Sequence, residues 1–160
     1  MKKFFKSLML ISVCLGLSAT VNAKTFRYAT TGDILGLDPH ANNEGPTNTM
    51  KGNIYGRMLH RKADLSLEPD LATKWEKLDA NTWRFSLRRG VKFHNGNDFN
   101  ADDVLFSYKR QTQEASDMSF ALATIKQINK VDDYTVDLIT KGPDPILLLN
   151  MPMFYIVDKE

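Results

Sequence analysis

LSLEPDLATKWEKLDANTWRFSLRRGVKFHNGNDFNADDVLFSYKR (Leu65–Arg110) changes its hydrophobic period part-way along. In Thr82–Arg88, Trp83, Phe85 and Leu87 alternate with Thr82, Arg84, Ser86 and Arg88. That period of two predicts a strand with one buried face. Lys74–Leu78 reads as its partner, joined through the turn residues Asp79-Ala80-Asn81. Val91 and Phe93 alternate with Lys92 and His94 before a second turn at Asn95-Gly96. The period then becomes helical. Asn100 is placed to cap a first turn in which Asp102 and Asp103 suit the positive end of the helix dipole. Phe99 and Val104 occupy the two positions of a hydrophobic staple. Val104, Leu105 and Tyr108 form the apolar face, with Lys109 and Arg110 near the C-terminal end. These features describe a folding unit and contain no reaction centre.

Three blocks of this region, PDLATKWE, WRFSLRRGVKFHNG and FNADDVLFSYKR, closely resemble in order and spacing the family 5 extracellular solute-binding proteins. These are the oligopeptide-, dipeptide- and nickel-type binding components of bacterial ABC importers. The resemblance extends weakly from about Thr25 to Glu160.

Export is legible at the start of the chain. Lys2, Lys3 and Lys6 precede an apolar run, Leu8–Leu17, and Val21 and Ala23 are small residues at the −3 and −1 positions of a cleavage site. Residues 1–23 therefore read as a secretory signal peptide, which predicts a periplasmic protein. The apolar run is well short of the roughly 20 residues that span a bilayer. Cys14 is the only cysteine and lies in this leader, with lipidation there as the minor alternative. Cleavage after Ala23 would leave no thiol for disulfides or cysteine chemistry. The leader's three lysines carry the basic balance of 21 basic against 19 acidic residues. The remainder is nearly neutral, with no basic block to suggest a nucleic-acid partner.

Beyond the leader, TFRYAT (Thr25–Thr30) alternates as a strand and opens into Thr31-Gly32-Asp33 and the polar segment LGLDPHANNEGPT. Loops beyond strand ends commonly hold ligands in α/β proteins, although loops are also polar simply because they are solvated. The strand and its LDPH loop resemble the family's first strand and the loop lining its ligand cleft. On that resemblance Thr31, Gly32, Asp33, Asn42, Asn43 and Glu44 are the candidate ligand-binding residues.

Pro46–Leu59 predicts a helix, with Met50, Ile54, Met58 and Leu59 at helical spacing. Gly52 and Gly56 within it suggest a close packing contact. Asp117–Gln127 reads as a helix or an irregular excursion. Ile128–Val131 and Tyr134–Ile139 read as a hairpin around Asp132-Asp133, with Val136 and Leu138 pointing inward. Asp144 and Pro145 suit the start of a helix containing Ile146–Leu149, which Pro152 should stop; Met153–Val157 is strand-like. The nearly unbroken apolar run Ile146–Val157 needs cover, which predicts a domain incomplete at its C-terminal end.

Residue types that support common catalytic mechanisms do not come together. His40, His60 and His94 show no metal-ligand spacing, and adjacent helical carboxylates Asp102 and Asp103 point apart. There is no nucleophile elbow or phosphate loop. Trp75 and Trp83 suit a core better than a stacking platform.

The resemblance implies a mixed α/β (α+β) chain: the first part of a two-lobed periplasmic-binding-protein type II fold with an extra inserted domain. Lys24–Asn53 would begin the ligand-lining lobe, and Ile54–Glu160 would belong mostly to the inserted domain. It implies a non-enzymatic, cofactor-free binding protein, monomeric at full length. Its ligand would be a peptide or another small solute (a nickel chelate, opine or sugar), and its partner an inner-membrane ABC permease complex. The alternative from the residues is an exported hydrolase whose catalytic residues lie beyond Glu160.

Overall fold

Residues 59–140 build two antiparallel sheets. The larger contains β3 (Ala72–Lys77), β4 (Thr82–Leu87), β5 (Ile125–Asp132) and β6 (Thr135–Thr140) in the order β3-β4-β6-β5. The smaller pairs β1 (Leu59–Arg61) with β2 (Leu67–Pro69). Around them lie α1 (Gly45–Ile54), α2 (Ala101–Gln111) and a single turn, α3 (Leu147–Asn150). The structure is a computed structural model that describes Thr25, Arg27, Ala29 and residues 31–160. The expected signal peptide lies outside the described residues, as do three of the six residues of the expected strand Thr25–Thr30.

The alternation in β4 sets the layers. Phe85 is fully buried and Leu87 nearly so, while Trp83 is half-buried against the same core. Phe85 pairs with Trp75 and with Val136, and Trp83 pairs with Leu138. Val136 and Leu138 are fully buried, as their alternation predicts. On the opposite face, Arg84 sits across from Asp137 and donates two hydrogen bonds of 2.8 Å to its carboxylate. The turn at Asp79–Asn81 is closed by Leu78 N–H donating to Thr82 O and by Asn81 N–H donating to Asp79 Oδ1. The turn at Asn95-Gly96 has Gly96 at φ +95°, a conformation that favours glycine. The alternating Val91–His94 segment contributes only one bridge, Lys92 to Asp98.

Helix α2 closes the core. Asn100 Oδ1 accepts from Asp102 N–H, and the Asp103 carboxylate accepts from Asn100 N–H, both at 2.8 Å. This reciprocal pair satisfies two amides at the helix start. Asp103 is therefore fully buried, while Asp102 turns outward to Lys130. The staple pair Phe99 and Val104 is buried, and Phe99 meets Phe93 edge to face at 6.2 Å.

Three boundaries differ from the sequence expectation. Helix α1 stops at Ile54 rather than Leu59, because Tyr55 turns extended and the chain enters β1. Its buried face is Thr47 and Lys51, not the methionine stripe. Met58 and Leu59 are fully buried, but outside the helix. The close approach expected at the glycines exists: a Cβ on Gly56 would lie 2.9 Å from Leu71 Cδ1. Asp144 does not cap a helix; its carboxylate accepts from Ile146 N–H and Thr124 Oγ–H, and α3 starts only at Leu147. The ambiguous Asp117–Gln127 segment holds one 3-10 turn, Ser119–Leu122, and then the start of β5.

The apolar run Ile146–Val157 finds its own cover. Leu147, Met151 and Phe154 are fully buried, and Ile156 nearly so, in the same core as β4 and β6; Tyr155 is also nearly buried. Phe154 O accepts from Met58 N–H, and Ile156 N–H donates to Gly56 O. The expected strand is thus reduced to one bridge, Arg57 to Tyr155. Only Ile146 and Leu149 remain prominently exposed in this run.

Candidate functional site

The loop of residues 31–44 has no helix or strand and is held from several sides. Its base rests on α1. Leu35 N–H donates to Thr47 Oγ1 at 3.0 Å, Tyr55 O–H donates to Leu37 O at 2.9 Å, and the Lys51 ammonium donates to Asn42 O. Lys51 is fully buried. Burial lowers its pKa, while the carboxylates of Asp38, Glu44 and Asp117 oppose that shift.

The middle of the loop is tied to α2 and to the C-terminal segment. Arg110 Nη1 and Nη2 donate to Asp38 Oδ1 and Oδ2 at 2.8 and 2.6 Å. That paired hydrogen bond holds the Asp38 carboxyl at about 2, below the usual carboxylate range. Arg110 Nη1 also lies 2.8 Å from His40 Nδ1, and His40 Nε2 lies 3.0 Å from Tyr155 O. An arginine nitrogen can only donate, so Nδ1 accepts and Nε2–H donates to the Tyr155 carbonyl. His40 is only 2% exposed, and burial pushes its pKa below the ordinary value. Ser116 Oγ–H donates to His40 O at 2.7 Å, and Asp117 N–H to Ala41 O at 3.3 Å. A small cleft of about 130 Å³ remains between Asp38, His40, Arg110 and Ser116.

The six candidate residues occupy the outer parts of this loop. Thr31, Gly32, Asp33 and Asn43 are exposed, and Asn42 and Glu44 are half-buried. Gly32 lies against Pro46 in the first turn of α1, which brings the first group toward the Glu44 end of the second. Asp33 accepts from Ile34 N–H, and Asn43 Oδ1 accepts from Asn48 Nδ2. Glu44 Oε1 and Asn48 Oδ1 are shielded from water without a hydrogen-bond partner among the described residues. The residues that sequence reasoning missed are the anchors: His40, Lys51, Arg110, Ser116 and Tyr155. Arg110 reads locally as a cation at a helix end, and its partners lie 72 and 70 positions away. No local pattern carries that information.

A separate concavity of about 420 Å³ is lined mainly by apolar side chains, among them Leu71, Val91, Phe93, Phe99 and Ile156, with His94 and Asn95 also lining it.

Residues 66–160 match the family model described as bacterial extracellular solute-binding proteins, family 5 Middle. The chain belongs to this family. A dipeptide-binding protein of Escherichia coli (strain K12) is 32% identical over 172 residues, covering 92% of the chain and 32% of that relative. The chain thus spans about a third of its length. Among solved structures, a DppA periplasmic binding protein from Helicobacter pylori in complex with the peptide STSA is 30% identical, with a TM-score of 0.69. That likeness covers 79% of this chain and 29% of that one. The binding protein MoaA from A. tumefaciens R10, in complex with mannopinic acid, is 32% identical with a TM-score of 0.72. It covers 79% of this chain and 28% of that one. The mixed helix-and-sheet fold expected from the sequence agrees with these neighbours, which are periplasmic binding proteins of the two-lobed type II fold.

Proposed function

We propose that this chain is part of the periplasmic solute-binding component of an ABC import system, which captures a peptide and delivers it to an inner-membrane permease. One observation carries the reading: the match to a dipeptide-binding protein runs over 92% of the chain, in a chain whose residues 66–160 match the family model. A neighbouring structure with a bound tetrapeptide supports the same ligand class. On this reading residues 24–53 begin the ligand-lining lobe and residues 54–160 are mostly the inserted domain. Thr31, Gly32, Asp33, Asn42, Asn43 and Glu44 face the ligand, and the sheet unit is scaffold.

The mechanism needs no bond to be made or broken. Two lobes close over the ligand by hinge motion, and closure removes water from the polar contacts. The protein is then a monomeric carrier rather than an enzyme, exported by a signal peptide over residues 1–23.

Thermal-shift measurements on the full-length protein test this reading against peptides, opines, sugars and nickel chelates. A peptide at 100 times its Kd should stabilise the protein by about 2.7 kcal/mol. Asp33→Ala and Asn43→Ala should weaken that peptide at least tenfold, with the melting temperature of the free protein unchanged. Stabilisation by a non-peptide solute alone would overturn the ligand class, and stabilisation by none of them would overturn the function.

A further inference from the structure

Several of the side chains that hold the loop of residues 31–44 donate to its backbone carbonyls. Lys51 holds Asn42 O, Tyr55 holds Leu37 O, and Ser116 holds His40 O. Arg110 differs, because it grips side chains on both sides of Pro39. Its Nη1 is shared between Asp38 Oδ1 and His40 Nδ1, each at 2.8 Å, while Nη2 takes Asp38 Oδ2 at 2.6 Å. A guanidinium presents these donors in one plane, and an ammonium cannot.

The contact with His40 has a second effect. A nitrogen that accepts from arginine carries no proton, so the imidazole proton sits on Nε2, where it reaches Tyr155 O at 3.0 Å. One side chain on α2 therefore sets the tautomer that fastens the loop to the C-terminal segment. The charged groups acting on His40 are Asp38 on its own loop, Arg110 from α2 and Lys51 from α1.

We infer that Arg110 is the positioning residue of the candidate ligand loop: it holds Asp38 and the bare Nδ1 of His40, and through His40 it docks the loop on Tyr155. The loop's part in ligand capture rests on the functional reading above; its anchoring does not.

Nitrogen-15 NMR of the full chain reads the His40 tautomer directly, and amide hydrogen exchange reads the loop. The wild type should show His40 as the Nε2–H tautomer. Arg110→Met keeps much of the aliphatic stem but has no donor. It should give a mixture of tautomers and speed exchange of the Leu35 and His40 amides at least tenfold, leaving the Phe85 amide of β4 unchanged. Arg110→Lys should recover part of the loop protection through Asp38 but not the single tautomer. An Nδ1–H tautomer in the wild type overturns the inference, as does a tautomer and loop exchange unaltered in Arg110→Met. Equal acceleration at Phe85 would make Arg110 a general stabiliser and also overturns it. Calorimetry of the full-length protein with dialanine separates the two claims. A wild type that binds should lose at least tenfold in Arg110→Met. A wild type that does not bind counts against the functional reading alone, because the NMR result decides the anchoring.

Discussion

His40 and Asp38 make the fold sensitive to acid in two steps. The pKa of His40 is lowered from 6.5, first by burial. The unfolded chain then binds the proton more readily than the folded one. Stability contributed here is complete above about 6.5 and falls as pH drops toward the folded value. Asp38 acts in the same direction lower down. Its pKa falls from 3.8 to about 2 through the hydrogen bonds from Arg110, so its contribution is present above 3.8 and is lost as pH approaches 2. Urea midpoints should therefore decline between pH 7 and pH 5. His40→Gln, which cannot titrate, should lower stability at pH 7 and flatten that decline. An unchanged slope in His40→Gln would show that the imidazole does not titrate differently on folding.

Single substitutions at the level of elements separate the two faces of β4. Phe85→Ala removes a fully buried ring and should cost about 3–5 kcal/mol. Trp83 is half-buried, so Trp83→Ala should cost less than Phe85→Ala. Alternation alone makes Arg84 a neutral surface position, but the structure places its guanidinium in a paired bond with an Asp137 side chain only 15% exposed. Arg84→Ala should therefore lower the urea midpoint measurably, but by less than Phe85→Ala. At the start of α2, Asn100→Ala should cost about 1 kcal/mol by removing half of the reciprocal cap. Gly56→Ala should cost about 1–3 kcal/mol, because the new methyl group meets Leu71. Urea melts of these variants at a common pH rank the five effects.

For the whole molecule, the proposed export predicts cleavage after Ala23 and a mature N-terminus at Lys24. N-terminal sequencing of protein from the periplasmic fraction checks this; an intact Met1 or a lipid on Cys14 would contradict it. The apolar run Ile146–Val157 leads to a different expectation from the one its composition suggests. Because Leu147, Met151, Phe154 and Ile156 are inside the core formed by residues 58–138, their truncation should unfold the sheet unit. Phe154→Ala should cost about 3–5 kcal/mol, measured by urea denaturation. A loss below about 1 kcal/mol would mean that the segment lies on the surface.

The amino-acid sequence by itself determined the local elements and the family. The alternation of Trp83, Phe85 and Leu87, the turn residues Asp79–Asn81 and the cap at Asn100 act over a few positions, so neighbouring side chains suffice to specify them. The same three blocks carried the family resemblance that the match over residues 66–160 bears out. Tertiary structure alone decided where α1 ends, because Tyr55 turns extended and the chain enters β1, where Leu59 pairs with the distant Pro69. It also decided that the apolar C-terminal run is core and that Arg110, His40 and Tyr155 meet. Those contacts join residues 70 and 115 positions apart. Hydrophobic periodicity reports which face of an element is buried, but it does not report which distant side chain that face will meet.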